Sequence, residues 1–180
     1  RFLEALRAYK VRPAPADPPG KFETGTLNHE GIAGVLGAIE YFAWVGKTFG
    51  EIDEESKPDQ RALISQAMRC IRDTEKDLSD ALIETIQSIP GTKIYGITDP
   101  IRVNQRVPTV SFTLRGWSPR EVTSQLGQAG INAWDGNYYA LAVTERLGLE
   151  ATGGMVRVGA THYNTLNEIA VLGETLRQLK

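Results

Sequence analysis

Arg157 is the side chain of this sequence best suited to hold a charged ligand. It lies in Met155-Val-Arg-Val-Gly-Ala-Thr161, where Val156, Val158 and Ala160 alternate inward and Met155, Arg157, Gly159 and Thr161 share the opposite face of a strand. A guanidinium there, beside the bare Gly159, is predicted to leave room for a planar anion. Its fork of N–H donors matches a carboxylate at two points, which lysine cannot copy. The same spacing is equally met by a solvated arginine on an open sheet face. A second candidate is Lys21-Phe-Glu-Thr-Gly-Thr-Leu-Asn-His-Glu30, a polar turn running into a long apolar helix. Gly25 frees the backbone for a tight approach, and Thr26 and Asn28 are both good N-cap residues. A helix opening leaves backbone N–H groups unpaired at the positive end of the dipole, a setting that receives phosphate or carboxylate. Simple capping by Thr26 or Asn28 accounts for the same residues. His29 reads as a surface or capping-region histidine rather than an acid/base group, and Cys70 as a small buried hydrophobe on a helix flank.

The elements that must position these residues follow from apolar spacing. Phe2, Leu3 and Leu6 fit the tail of a helix within residues 1–8, and Pro13, Pro15, Pro18 and Pro19 then enforce an extended connector. Ile32, Val35, Leu36, Ile39, Phe42 and Ala43 recur at helical spacing from Glu30 to Lys47, with Gly31, Gly34 and Gly37 allowing a close neighbour. Residues 48–57 read as an acidic loop. A long helix is predicted from Pro58 to Gln87, with Ile64, Ala67, Met68, Ile71, Leu78, Leu82 and Ile86 as its buried stripe. After Pro90-Gly91 the period changes: a short strand over Lys93 to Ile97, a loop, then clean alternation over Val107 to Leu114. Ser118-Pro-Arg-Glu121 is a capping box opening a helix to about Gln128. Ile131 to Trp134 reads as a strand, Tyr138 to Leu147 as a helix stopped by Gly148, Met155 to Thr161 as a last strand. Asn164 or Thr165, with Glu168, caps the final helix. The class is therefore α+β, a small, mainly antiparallel sheet of three or four strands packed against helices and preceded by two long helices.

Composition narrows the function. With 180 residues, 41% hydrophobic and 23% charged, the chain is ordinary globular material with enough length for a real core. A net charge of −2 with no basic block leaves no nucleic-acid footprint, and no apolar run reaches membrane-spanning length. A single cysteine excludes an internal disulfide and suits a cytoplasmic setting, and two scattered histidines supply no metal site.

Two segments carry a resemblance. Phe22-Glu-Thr-Gly-Thr-Leu-Asn28 before a Gly/Ala-rich helix resembles the (F)-E-x-G-T-x-N segment of cysteine-desulfurase-like class V aminotransferases, pyridoxal-phosphate enzymes of fold type I. Val156-Arg-Val-Gly-Ala-Thr-His-Tyr-Asn164-Thr165-x-x-Glu168 is similar to the R-x-(S/G)-x-x-x-Y-N-T-x-x-E segment closing the small domain of the same family. The resemblance implies that Arg157 binds the α-carboxylate of an amino-acid substrate. It also implies that Gly25 and Thr26 contact the phosphate of a pyridoxal 5'-phosphate held by the partner subunit of a homodimer. Asn28, His29, Tyr138 and Tyr139 would then rim the pocket. The Schiff-base lysine belongs, in that family, to a large domain upstream, and neither Lys10 nor Lys21 resembles its context. The chain is thus expected to be the C-terminal part of a longer enzyme: residues 1–27 a connector, 28–90 a long-helix region and 91–180 the α+β small domain, with no catalytic residue of its own and inactive alone. The desulfurase pattern R-x-G-H-H-C-A, whose cysteine carries the persulfide, is departed from here. The matching stretch reads Trp134-Asp-Gly-Asn-Tyr-Tyr-Ala140, and Tyr139 stands where the persulfide cysteine would be. A non-catalytic homologous module for dimerisation or partner binding is the alternative.

Overall fold

The computed structural model describes residues 2–51, 55 and 57–179, so part of the expected acidic loop lies outside the described residues. The chain divides into two compact units, Arg1–Ala67 and Met68–Lys180.

The first unit begins with a short helix, α1 (Phe2–Ala5), followed by the proline-bearing connector and a 3-10 turn over Gly20–Phe22. Lys21 is buried, and its Nζ donates to the carbonyls of Glu4 at 2.9 Å and Leu6 at 3.0 Å. A buried ammonium needs such acceptors to offset lost hydration; here they tie the connector to the N-terminal segment. Helix α2 spans His29–Phe49. It approaches a neighbouring helix closely at Gly46, where an added Cβ would stand 1.9 Å from the carbonyl oxygen of Leu63. Gly34 and Gly37, expected to serve that purpose, would have nothing within 4 Å of an added Cβ, and Gly31 faces only its own capping residue, Asn28. Leu63 lies in α3 (Gln60–Gln87), which Asp59 opens by accepting the Ala62 N–H at 2.8 Å.

The second unit holds the sheet. Its strands are β1 (Thr92–Tyr95), β2 (Thr109–Leu114), β3 (Trp134–Gly136) and β4 (Met155–Gly159), in spatial order β1-β2-β4-β3 with every pair antiparallel. Helices α4 (Pro119–Gln128), α5 (Leu141–Arg146) and α6 (Leu166–Arg177) complete it, with a 3-10 turn over Pro100–Gln105 in the expected loop. The alternation in β2 and β4 does what it predicts. Val110, Phe112, Val156 and Val158 meet Leu82 and Ile86 of α3, Val122 and Leu126 of α4, and Leu172 and Leu176 of α6 in one buried core. Met68, assigned to the buried stripe of α3, is exposed instead.

Two expectations shift in register. The strand expected at Ile131–Trp134 begins only at Trp134. A left-handed Gly130 ends α4, and the Ile131 N–H returns to the Leu126 carbonyl at 2.9 Å, so that residue closes a helix rather than entering a sheet. The helix expected from Tyr138 begins at Leu141, because Tyr138 and Tyr139 take positive φ values of 54° and 61°. Gly148 does terminate α5. Its N–H reaches the Glu145 carbonyl at 3.0 Å, and the Leu149 N–H reaches that of Thr144 at 2.8 Å.

The expected capping box of Ser118 with Glu121 forms on α4, and on α6 Thr165 rather than Asn164 is the cap, forming a second box with Glu168. Backbone and hydroxyl donors of Thr165 hold the Glu168 carboxyl below its ordinary 4.5, and those of Ser118 do the same for Glu121. A depressed carboxylate stabilises the fold above its unfolded pKa, and that contribution is lost as pH falls through the folded value. Thr165→Ala is expected to cost about 1 kcal/mol near neutrality and to flatten the acid side of the stability curve below its ordinary 4.5. Urea melts in neutral and in acidic buffer check this; an unchanged pH difference would show that the box carries no acid sensitivity.

Candidate active-site face

The face of the sheet away from the helices carries the candidate site of the second unit. Pairing sets Tyr95 opposite Ser111, Ser111 opposite Arg157, and Arg157 opposite Trp134. One row therefore crosses all four strands on the open side. The neighbouring row, Ile94, Phe112 and Val156, faces the core and ends at Asp135. Asp135 accepts from the Thr123 hydroxyl at 2.9 Å and lies 3.4 Å from an Arg120 nitrogen, so α4 engages it on the far side from Arg157.

Arg157 is half-buried and packs against two aromatic rings. Its Cζ is 5.4 Å from the centroid of Trp134 and 4.7 Å from that of Tyr138. Among the described residues, no carboxylate and no hydrogen-bond acceptor engages its guanidinium, and no buried donor is left unsatisfied. The donors along the edge of the fork are therefore open to a ligand. Gly159 is less bare than its sequence implies, since an added Cβ would meet the Thr109 hydroxyl at 3.3 Å.

Tyr138 reaches Arg157 from the turn after β3, and its hydroxyl donates to the Met155 carbonyl. Burial pushes the phenol well above its ordinary value, against the opposing pull of Arg157 and of a hydrogen bond with Ser111. The phenol is thus neutral at physiological pH and acts as a donor, not a base. Two successive non-glycine residues with positive φ are costly, and such strain persists only where surroundings hold it. The holding groups are visible: Asn137 accepts the Tyr139 N–H at 3.1 Å and donates to Glu150 at 3.1 Å. Tyr139 itself is 97% exposed.

Gly25, Thr26, Asn28 and His29 belong to the first unit and are all exposed. Asn28 is the N-cap, accepting the Gly31 N–H at 2.8 Å. The His29 N–H is taken by the Leu27 carbonyl at 3.0 Å, so the helix start offers fewer free amides than its sequence implies. Thr26 does not cap. Nothing lies within 4 Å of a Cβ built on Gly25. An exposed hydroxyl beside an open glycine fits one oxygen of a phosphate arm. Lys21 and Lys10 do not fit a covalent attachment, because their amines are already bonded to backbone carbonyls.

Trp134 is a site residue that the sequence alone does not single out. Its partner can be found only through strand register, and the register of β3 depends on where α4 stops.

The aminotransferase class-V family profile matches residues 8–172. The chain belongs to that family. A probable cysteine desulfurase of Methanothermobacter thermautotrophicus is 32% identical to this class V chain over 164 residues, covering 91% of the chain and 34% of the relative. Among solved structures, an apo cysteine desulfurase of Thermococcus onnurineus matches with a TM-score of 0.62 at 24% identity, over 91% of this chain and 34% of that one. The cysteine desulfurase CsdA of Escherichia coli matches at 0.64 and 22%, over 89% and 32%. At these identities the structural likeness carries the fold, an α+β domain of fold type I. The class V chain spans only 19% to 38% of the length of the curated relatives it matches. Against the R-x-G-H-H-C-A pattern, it carries Trp134 where that pattern has arginine and Tyr139 where it has cysteine.

Proposed function

We propose that this chain is the C-terminal part of a cytoplasmic, homodimeric pyridoxal-phosphate enzyme acting on an amino acid, with Arg157 as the substrate-carboxylate anchor. The observation that carries the reading is the Arg157 guanidinium packed against two rings, with no carboxylate or other acceptor of its own among the described residues. A carboxylate in that position would accept two parallel charge-assisted hydrogen bonds. Residues 1–27 serve as the connector, 28–90 as the long-helix region and 91–180 as the small domain.

The cofactor, bound through a lysine of the large domain, supplies an electron sink for bonds at the substrate α-carbon. Thr26 and the Gly25 backbone contribute a hydroxyl and an unhindered approach to its phosphate across the dimer. Tyr138 stays protonated and steadies Arg157. Transfer of sulfur through a residue in the turn after β3 is not available here, because the phenol of Tyr139 cannot hold a persulfide. The observation that favours the second reading, a non-catalytic module for dimerisation or partner binding, is this same substitution.

The discriminating experiment is absorbance of the full-length protein with cofactor and a panel of amino acids. Spectral change on adding an amino acid, abolished in Arg157→Gln, supports the enzyme; a spectrum indifferent to every amino acid supports the module. Thr26→Ala is expected to weaken cofactor retention by about 1–2 kcal/mol, the loss of one charge-assisted hydrogen bond. Equilibrium dialysis checks it, and retention equal to wild type removes Thr26 from the phosphate site.

A further inference from the structure

We infer that Trp134 and Tyr138 are positioning residues for Arg157: together their rings hold its guanidinium by cation–π contact, which leaves its N–H donors for a single carboxylate. This rests on the reading of Arg157 given above and adds to it how the fork is oriented. The contacts come from three separate places, β3, β4 and the left-handed turn between β3 and α5. Trp134 is directly opposite Arg157 in the β3–β4 pairing, yet the residue is 57% exposed. A large apolar ring on an open strand face exposes hydrophobic surface without gain to the core, and the contact it makes is with the arginine.

Aromatic faces attract a guanidinium without accepting its in-plane N–H groups. A paired Asp or Glu would hold the side chain equally well but would occupy the donors. The nearest carboxylate along the strand, Asp135, is instead taken by Thr123 on the helical side. Tyr138 is fixed in turn, its hydroxyl on the Met155 carbonyl and its turn braced by Asn137 and Glu150. The result is an arginine ordered before any ligand arrives, which removes the conformational loss that binding would otherwise carry.

The test uses the full-length protein, with sodium acetate as probe and the Arg157 Nε–Hε resonance as readout. In the wild type, Hε is expected upfield of its unstacked position through the ring currents of the two aromatics. Trp134→Leu and Tyr138→Leu should each return it toward that position and weaken acetate binding by roughly three- to tenfold. Trp134→Phe, which keeps a ring, should recover most of both. Arg157→Gln should abolish acetate binding. If Arg157→Gln binds acetate like wild type, the carboxylate reading itself fails. If it loses binding while both leucine variants keep wild-type affinity, the anchor stands and the two rings are not positioning residues. An unshifted wild-type Hε rules out the stacking without recourse to any variant.

Discussion

Arg157→Lys is expected, on the proposed function, to raise KM for the amino-acid substrate by about ten- to a hundredfold in the full-length protein, with little loss of stability. Lysine keeps the positive charge and most of the length, so any effect reports the fork. A carboxylate held at two points by charge-assisted hydrogen bonds loses one of them, at roughly 1.5–3 kcal/mol. The ammonium also loses the guanidinium's contacts with the Trp134 and Tyr138 rings, so its remaining donor is less ordered. Stability changes little because Arg157 is on the open side, while its neighbours Val156 and Val158 hold the core. Steady-state kinetics beside a urea melt separate the two effects. A KM equal to wild type would remove Arg157 from the substrate site, whereas a large fall in stability would show that its ring contacts serve the fold.

How far the sequence reveals this site depends on how locally each feature is determined. The alternation of Val110, Phe112 and Leu114, and of Val156 and Val158 around Arg157, gives the sheet's two faces directly, since side-chain period is a property of the strand alone. The two capping boxes are equally local, and both form. Strand pairing is not local. That Trp134 faces Arg157 depends on β3 starting three residues later than the apolar run Ile131-Asn-Ala-Trp implies, and the cause is the left-handed Gly130 that draws Ile131 back onto α4. The two tyrosines mislead for a similar reason. Tyr138-Tyr139-Ala140-Leu141 has nothing against helix in its composition; the brace from Asn137 and Glu150 and the bond from the Tyr138 hydroxyl to the Met155 carbonyl hold the left-handed turn. In the first unit, Asn28 and Thr26 are equivalent as caps on residue type. Distance decides between them: Asn28 sits three residues before the Gly31 N–H it accepts.

Gly154→Ala is expected to cost more than about 3 kcal/mol, and to weaken carboxylate binding with no change at Arg157 itself. Gly154 is buried at the entry to β4, with φ of 80°. An added Cβ would stand 2.2 Å from the carbonyl oxygen of Gly136 and 2.4 Å from its carbon. These are backbone atoms of β3, so no side chain can rotate aside; the strand itself must move. Gly136 pairs with Met155, and the same short strand carries Trp134 against Arg157 and leads into Tyr138. Displacing it therefore disturbs both rings at once. Gly153→Ala is the control, one residue earlier with φ of 88° but with only Pro119 Cδ near, at 3.7 Å. It bears the left-handed penalty of about 1–2 kcal/mol without the collision. Urea denaturation of both variants, with acetate titrations on whatever remains folded, measures the difference. Equal stability for the two would mean that β3 yields freely at Gly136, and a strand that yields freely could not hold Trp134 over Arg157.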